Sequence, residues 1–121
     1  MSEDNDPVGT LTHVGIDVAD LDRAEAFYSA LLGVERASAW DQYLAFEPLP
    51  GGLTVYLQRV PEKKTSKTRV HIDLTVPDVL AALARVEALG GTAVRDFVEP
   101  GEDLAVIADP DGNEFCLLRQ K

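Results

Sequence analysis

Residues 67–78 read Lys67-Thr68-Arg69-Val70-His71-Ile72-Asp73-Leu74-Thr75-Val76-Pro77-Asp78, and residues 11–20 read Leu11-Thr12-His13-Val14-Gly15-Ile16-Asp17-Val18-Ala19-Asp20. Placing His13 on His71 sets an offset of 58 residues. Without a gap, Val18 then falls on Val76, Asp20 on Asp78, Ala24 on Ala82, Ala26 on Ala84, Ala30 on Ala88, Leu31 on Leu89 and Gly33 on Gly91. A strand-then-helix unit is therefore written twice, and each copy carries one of the chain's two histidines. An unrecognised repeat mis-assigns the whole fold, so it is read first. Two copies at this spacing do not make a solenoid; they make a duplicated half-domain.

Working outward from the repeat, residues 10–18 alternate, with His13, Gly15 and Asp17 on one face and Val14, Ile16 and Val18 on the other. That period of two is a half-buried strand. Asp20 stands at an N-cap, where its carboxylate accepts from free backbone N–H groups. Residues 21–32 place Leu21, Ala24, Phe27, Tyr28, Leu31 and Leu32 on one helical stripe. Gly33 ends this helix, as Gly90-Gly91 ends the next, where a left-handed residue costs least. Strands are predicted over 34–40, 42–46 and 53–60, with a turn at Pro48-Leu49-Pro50-Gly51-Gly52. The second half repeats the plan: a strand over 69–76, an Asp78-capped helix over 79–89, and strands over 92–97, 104–108 and 114–118. Asp109-Pro110-Asp111-Gly112-Asn113 is a tight turn in which Gly or Asn supplies any positive φ.

The expected fold is α+β: two βαβββ modules forming a cupped mixed sheet, with helices on the outer face. Residues 1–9 read as a disordered tail and 10–121 as one domain, with modules over 10–60 and 68–119 and a lysine-rich linker over 61–67. On this plan His13, His71 and Glu114 face the cup, while Phe115 and Leu117 face the helices. Trp40, Tyr43, Phe46 and Tyr56 are candidate ligand-lining side chains, Trp40, Phe46 and Tyr56 foremost.

The 121 residues carry a net charge of −10, of which Glu3, Asp4 and Asp6 supply three units. That sign argues against nucleic acid as a partner; it serves solubility in its ordinary reading and is compatible with a cationic ligand. No apolar run reaches the ~20 residues of a membrane span, so no membrane partner is expected. The acidic N-terminus lacks the pattern of a secretory signal, and one cysteine, Cys116, makes no internal disulfide. The cytoplasm is the expected compartment.

These stretches resemble the vicinal oxygen chelate superfamily, which holds glyoxalase I, bleomycin-resistance proteins and extradiol dioxygenases. The likeness rests on Thr12-His13-Val14-Gly15-Ile16-Asp17-Val18, Ala24-Glu25-Ala26-Phe27-Tyr28, Leu31-Leu32-Gly33, Val70-His71-Ile72-Asp73-Leu74 and Asp109-Pro110-Asp111-Gly112-Asn113-Glu114-Phe115. Its Phe115-Cys116-Leu117 continuation is similar to a glyoxalase-like subgroup. The resemblance implies a divalent metal, Fe, Mn, Ni or Zn, bound by His13, His71 and Glu114. Tyr56 stands at a fourth position where glyoxalase I carries a carboxylate. Two imidazoles and a carboxylate suit such ions and leave positions open for substrate oxygens. The same resemblance implies a homodimer and a small-molecule ligand.

Two functions follow as expectations. One is a metal-dependent lyase, isomerase or dioxygenase acting on a small oxygenated molecule, with Glu114 in the catalytic role. The other is a metal-free dimer that sequesters a cationic or aromatic small molecule.

Overall fold

The computed structural model describes residues 11–63, 72–94 and 103–120. The predicted tail lies outside them, as do most of the linker, the start of the second repeated strand with His71, and the end of the strand predicted over 92–97. The described elements run β1 (His13–Val18), α1 (Leu21–Leu32), β2 (Arg36–Trp40), β3 (Tyr43–Phe46), β4 (Thr54–Arg59), β5 (Asp73–Val76), α2 (Val79–Ala88), β6 (Thr92–Val94), β7 (Leu104–Ala108) and β8 (Glu114–Arg119). This is the βαβββ plan twice. The strands form two separate mixed sheets in matching orders, β1-β4-β3-β2 and β5-β8-β7-β6. In each, the strand before the helix runs parallel to the last strand of its module, and the remaining pairs are antiparallel.

Helix α1 begins where the cap residue predicts. The Asp20 backbone is extended, and its carboxylate accepts from the Arg23 N–H at 3.1 Å. Asp78 does the same for Ala81 in α2. Gly33 ends α1 in the left-handed region at φ 66°, and Gly90 follows α2 at φ 99°. Gly91 is not left-handed. It is small for a different reason: a Cβ there would lie 2.6 Å from Val86 Cγ1 and 2.8 Å from the Ala108 carbonyl.

The apolar stripe of α1 is buried as the alternation requires, with Ala24, Phe27 and Tyr28 almost without solvent exposure. These side chains share one core with Ile16, Val18, Leu44 and Leu57 of the first sheet and Leu83, Val86, Ile107, Phe115 and Leu117 of the second module. Burying a side chain of that size contributes about 1.5–3 kcal/mol, so a shared core joins the modules strongly. Phe27 and Tyr28 meet edge to face at 5.0 Å, and Tyr28 meets Phe115 of β8 at 5.7 Å. Each sheet therefore turns its helix-covered face inward and leaves the other open. On β1 the open face is His13, Gly15 and Asp17, and on β5 it is Asp73 and Thr75, all exposed.

A polar joint reinforces the apolar one. The turn from Asp109 to Asn113 docks onto the end of β1 and the start of α1. Asp109 is a buried carboxylate, 3% exposed, with both oxygens engaged. One accepts from the Asp111 and Asn113 N–H groups at 2.8 Å each. The other accepts from Tyr28 Oη at 2.6 Å and Asn113 Nδ2 at 2.8 Å. Asn113 also donates to the Asp17 carbonyl at 2.9 Å, and Asp111 accepts from the Ala19 N–H and from Arg23. Gly112 supplies the positive φ, 88°. The motif read as a turn is thus also the polar lock between modules.

Candidate functional site

The open face of the first sheet holds a hollow of about 230 Å³ lined by His13, Ser38, Trp40, Tyr43, Ala45 and Tyr56. His13, Tyr43, Ala45 and Tyr56 arrive there by alternation, while Ser38 and Trp40 come from the fully exposed strand β2. His13 begins β1 opposite the buried face of Ile16 and Val18; Tyr43 and Ala45 alternate with buried Leu44 and Phe46; Tyr56 alternates with buried Val55 and Leu57. Register does the rest. Tyr56 stands beside Gly15 on one side and Ala45 on the other, and Tyr43 pairs with Trp40.

The rings form a continuous series across the four strands. His13 and Tyr56 meet edge to face at 6.3 Å, Tyr56 and Tyr43 are tilted at 6.3 Å, and Tyr43 stacks on Trp40 at 5.6 Å and 14°. Trp40 is 72% exposed, the opposite of the usual fate of a tryptophan. His13 Nδ1 lies 2.7 Å from Thr12 Oγ1. That contact orients the imidazole and leaves Nε2 for another partner.

Of the candidate ligand-lining residues, Trp40, Tyr43 and Tyr56 stand in the hollow. Phe46 does not: it is 1% exposed, on the helix-covered face of β3, one residue out of phase with Tyr43 and Ala45. The expectation that it lines the cup is corrected by that parity. Sequence reading missed Gly15, Ser38 and Ala45. Gly15 shares its face with His13 by alternation, but its pairing with Tyr56 needed the strand register.

Glu114 opens β8 on the open face of the second sheet, with Cys116 two residues on and Asp73 paired to Cys116 across the parallel ladder. Burial, then the charge and hydrogen bond of Asp73, pushes the Cys116 thiol above its ordinary range, with Glu114 adding to it. This thiol stays protonated and unreactive near neutrality.

A metal requires its donors at one point. Among the described residues no three His, Cys, Asp or Glu side chains gather in that way. The hollow of His13 contains no carboxylate, and Glu114 belongs to the other sheet. His71 lies outside the described residues. Within one chain, the described side chains alone do not form a site that fits the ion.

Residues 13–118 match the family described as "Glyoxalase-like domain". A lactoylglutathione lyase of Haemophilus influenzae is 30% identical over 125 aligned positions, covering 92% of this chain and 93% of that one. Among solved structures, the trypanothione-dependent glyoxalase I of Leishmania major superposes with a TM-score of 0.73 at 26% identity, over 92% of this chain and 86% of that one. The fosfomycin resistance protein FosX of Listeria monocytogenes superposes with a TM-score of 0.74 at 19% identity, over 95% and 94%, a likeness of fold alone.

Proposed function

Because this chain belongs to the glyoxalase-like domain family of the vicinal oxygen chelate superfamily, we propose that it is a lyase or isomerase acting on a small oxygenated molecule, in a cup that two copies of the chain complete. The observation that carries this reading is the hollow where the His13 imidazole adjoins an aromatic wall of Tyr56, Tyr43 and Trp40. The flat or apolar part of the ligand lies on that wall, and a ligand oxygen takes the hydrogen bond of His13. Glu114, from the other copy, is the proton-transferring carboxylate. The 30% identity to a lyase over 92% of the chain favours this chemistry over oxygenation. Tyr56 in place of a fourth carboxylate argues against glyoxalase I activity itself.

The second copy is inferred from what one chain leaves open. Both helix-covered faces are spent on the shared core, while His13 and Asp73 stand exposed on separate sheets. One hollow of about 230 Å³ is also smaller than the roughly 300–1,000 Å³ of ordinary small-molecule sites. A divalent ion, where bound, would then be shared between His13 of one copy and Glu114 of the other, and would take His13 Nε2 in place of the hydrogen bond to the ligand. Such an ion polarises a carbonyl when bound.

A second reading is sequestration without chemistry. It is favoured by the exposed Trp40–Tyr43 stack and by the net charge of −10, both suited to a cationic aromatic ligand. The test is metal analysis and titration of untagged protein, followed by co-production of His13→Ala and Glu114→Ala chains. Each variant alone should lose ion uptake, and mixed dimers should regain it at one of their two sites. No uptake by the unsubstituted protein would favour sequestration; no recovery in mixed dimers would place the site within one chain.

A further inference from the structure

The ring of Tyr56 has two possible seats. Its Cα partners are Gly15 on β1 and Ala45 on β3, both small. It takes the seat on Gly15: a Cβ built there would lie 2.4 Å from Tyr56 Cζ, 2.5 Å from its Oη and 2.8 Å from its Cε2. Distances of that kind occur only where no side chain exists. Leaning on Gly15 leaves Ala45 uncovered, and Ala45 lines the hollow. The other seat would carry the ring over Ala45 and fill the space between His13 and Tyr43. Gly15 has no left-handed backbone to explain it, and no helix packs on its face, which is exposed.

We propose that Gly15 is a positioning residue that holds the Tyr56 ring off the cup floor and so sets which ligands fit beside His13: planar ones that reach Ala45. This deepens the cup reading above and rests on it. Tyr56 is the group that touches the ligand; Gly15 acts through it. Substituting Gly15→Ala, compatible with an extended strand, forces the ring toward Ala45 and closes the hollow. Removing the ring as well, in Gly15→Ala with Tyr56→Ala, reopens it.

The experiment is calorimetric titration with 2,3-dihydroxynaphthalene, a planar oxygenated probe, on the unsubstituted protein, Gly15→Ala, Tyr56→Ala and the double variant, with melting temperatures as the folding control. Gly15→Ala should bind at least tenfold more weakly than the unsubstituted protein, whereas the double variant should bind within twofold of Tyr56→Ala. A merely structural role for Gly15 would give the same loss with or without the ring. Binding by Gly15→Ala within twofold of the unsubstituted protein, or an equal loss in the Tyr56→Ala background, overturns the inference. A ligand-free readout separates it from the cup reading. If the unsubstituted protein does not take the probe, the cup reading fails, and the seat is decided by nuclear Overhauser contacts. A contact between the Tyr56 ring and the Gly15 α-protons, replaced in Gly15→Ala by one to the Ala45 methyl, supports the seat; its absence overturns it.

Discussion

The hydroxyl of Tyr28 on α1 donates to the carboxylate of Asp109 at 2.6 Å, and both groups are buried. Eighty-one residues separate them. The bond joins the helix of the first module to the turn before the last strand of the second.

Removing either partner should weaken the fold unequally. Tyr28→Phe leaves Asp109 its three other donors and should cost about 1–2 kcal/mol. Asp109→Ala strands the Asp111 and Asn113 N–H groups, the Asn113 amide and the Tyr28 hydroxyl, and should cost roughly 3 kcal/mol or more. Urea denaturation of both variants checks the order; equal losses would show that the carboxylate does not organise the turn.

Alkaline pH should attack the same bond. Burial above all, then the neighbouring charge and hydrogen bond of Asp109, raises the Tyr28 hydroxyl far above the usual phenol range. In the unfolded chain it ionises near the ordinary value of 10.0. Above that pH the unfolded state binds fewer protons than the folded one, so stability falls as pH rises. Melting temperatures across pH 9–11 should drop, and Tyr28→Phe should drop less steeply from its own baseline. Parallel profiles would refute the assignment.

The two adjacent glycines after α2 should fail for different reasons. Gly90→Ala places a side chain at φ 99° and should cost about 1 kcal/mol or more by backbone strain. Gly91→Ala drives a methyl into Val86, the Ala108 carbonyl and Phe27, costing about 1–3 kcal/mol by overpacking. Combining Gly91→Ala with Val86→Ala should relieve part of its loss, whereas Gly90→Ala should gain nothing from Val86→Ala. Chemical denaturation of the two single glycine variants and the two combinations, each combination read against Val86→Ala alone, decides it.

Trp40, the only tryptophan, reports on the cup. In one chain it is 72% exposed. If a second copy closes the cup, acrylamide quenching should be weak at high protein concentration and strengthen on dilution. Light scattering should track it between one and two times the 13.1 kDa of the chain. Quenching independent of concentration, with a single-chain mass throughout, would remove the second copy from the proposal.

Much of the fold was legible because it is written in local periods. Alternation in β1, the stripe of α1 and the Asp caps each depend on a few neighbouring residues, and the repeat multiplied their weight. Parity errors show the limit. Phe46 looked like a cup residue because aromatics near it are, yet one step along a strand reverses a side chain. Gly91 looked like a helix stop, but its size is demanded by Val86 and Ala108, and Ala108 is 17 positions away. The Tyr56 seat depends on strand register, which alternation does not disclose. The donor set is partly legible: His13 and Glu114 stand on open faces as alternation requires, but whether they meet depends on packing between modules or copies.

The docked turn from Asp109 to Asn113 also bears on how the chain acquires its structure. Its bonds to Asp17, Ala19, Arg23 and Tyr28 span 81 to 96 residues. Although the sequence is a duplication, the first copy is not complete by itself: the Tyr28 hydroxyl finds its partner in Asp109 of the second. Such distant closures slow folding. They should also make unfolding a single cooperative transition rather than two half-sized ones, with the residues made last completing the environment of those made first.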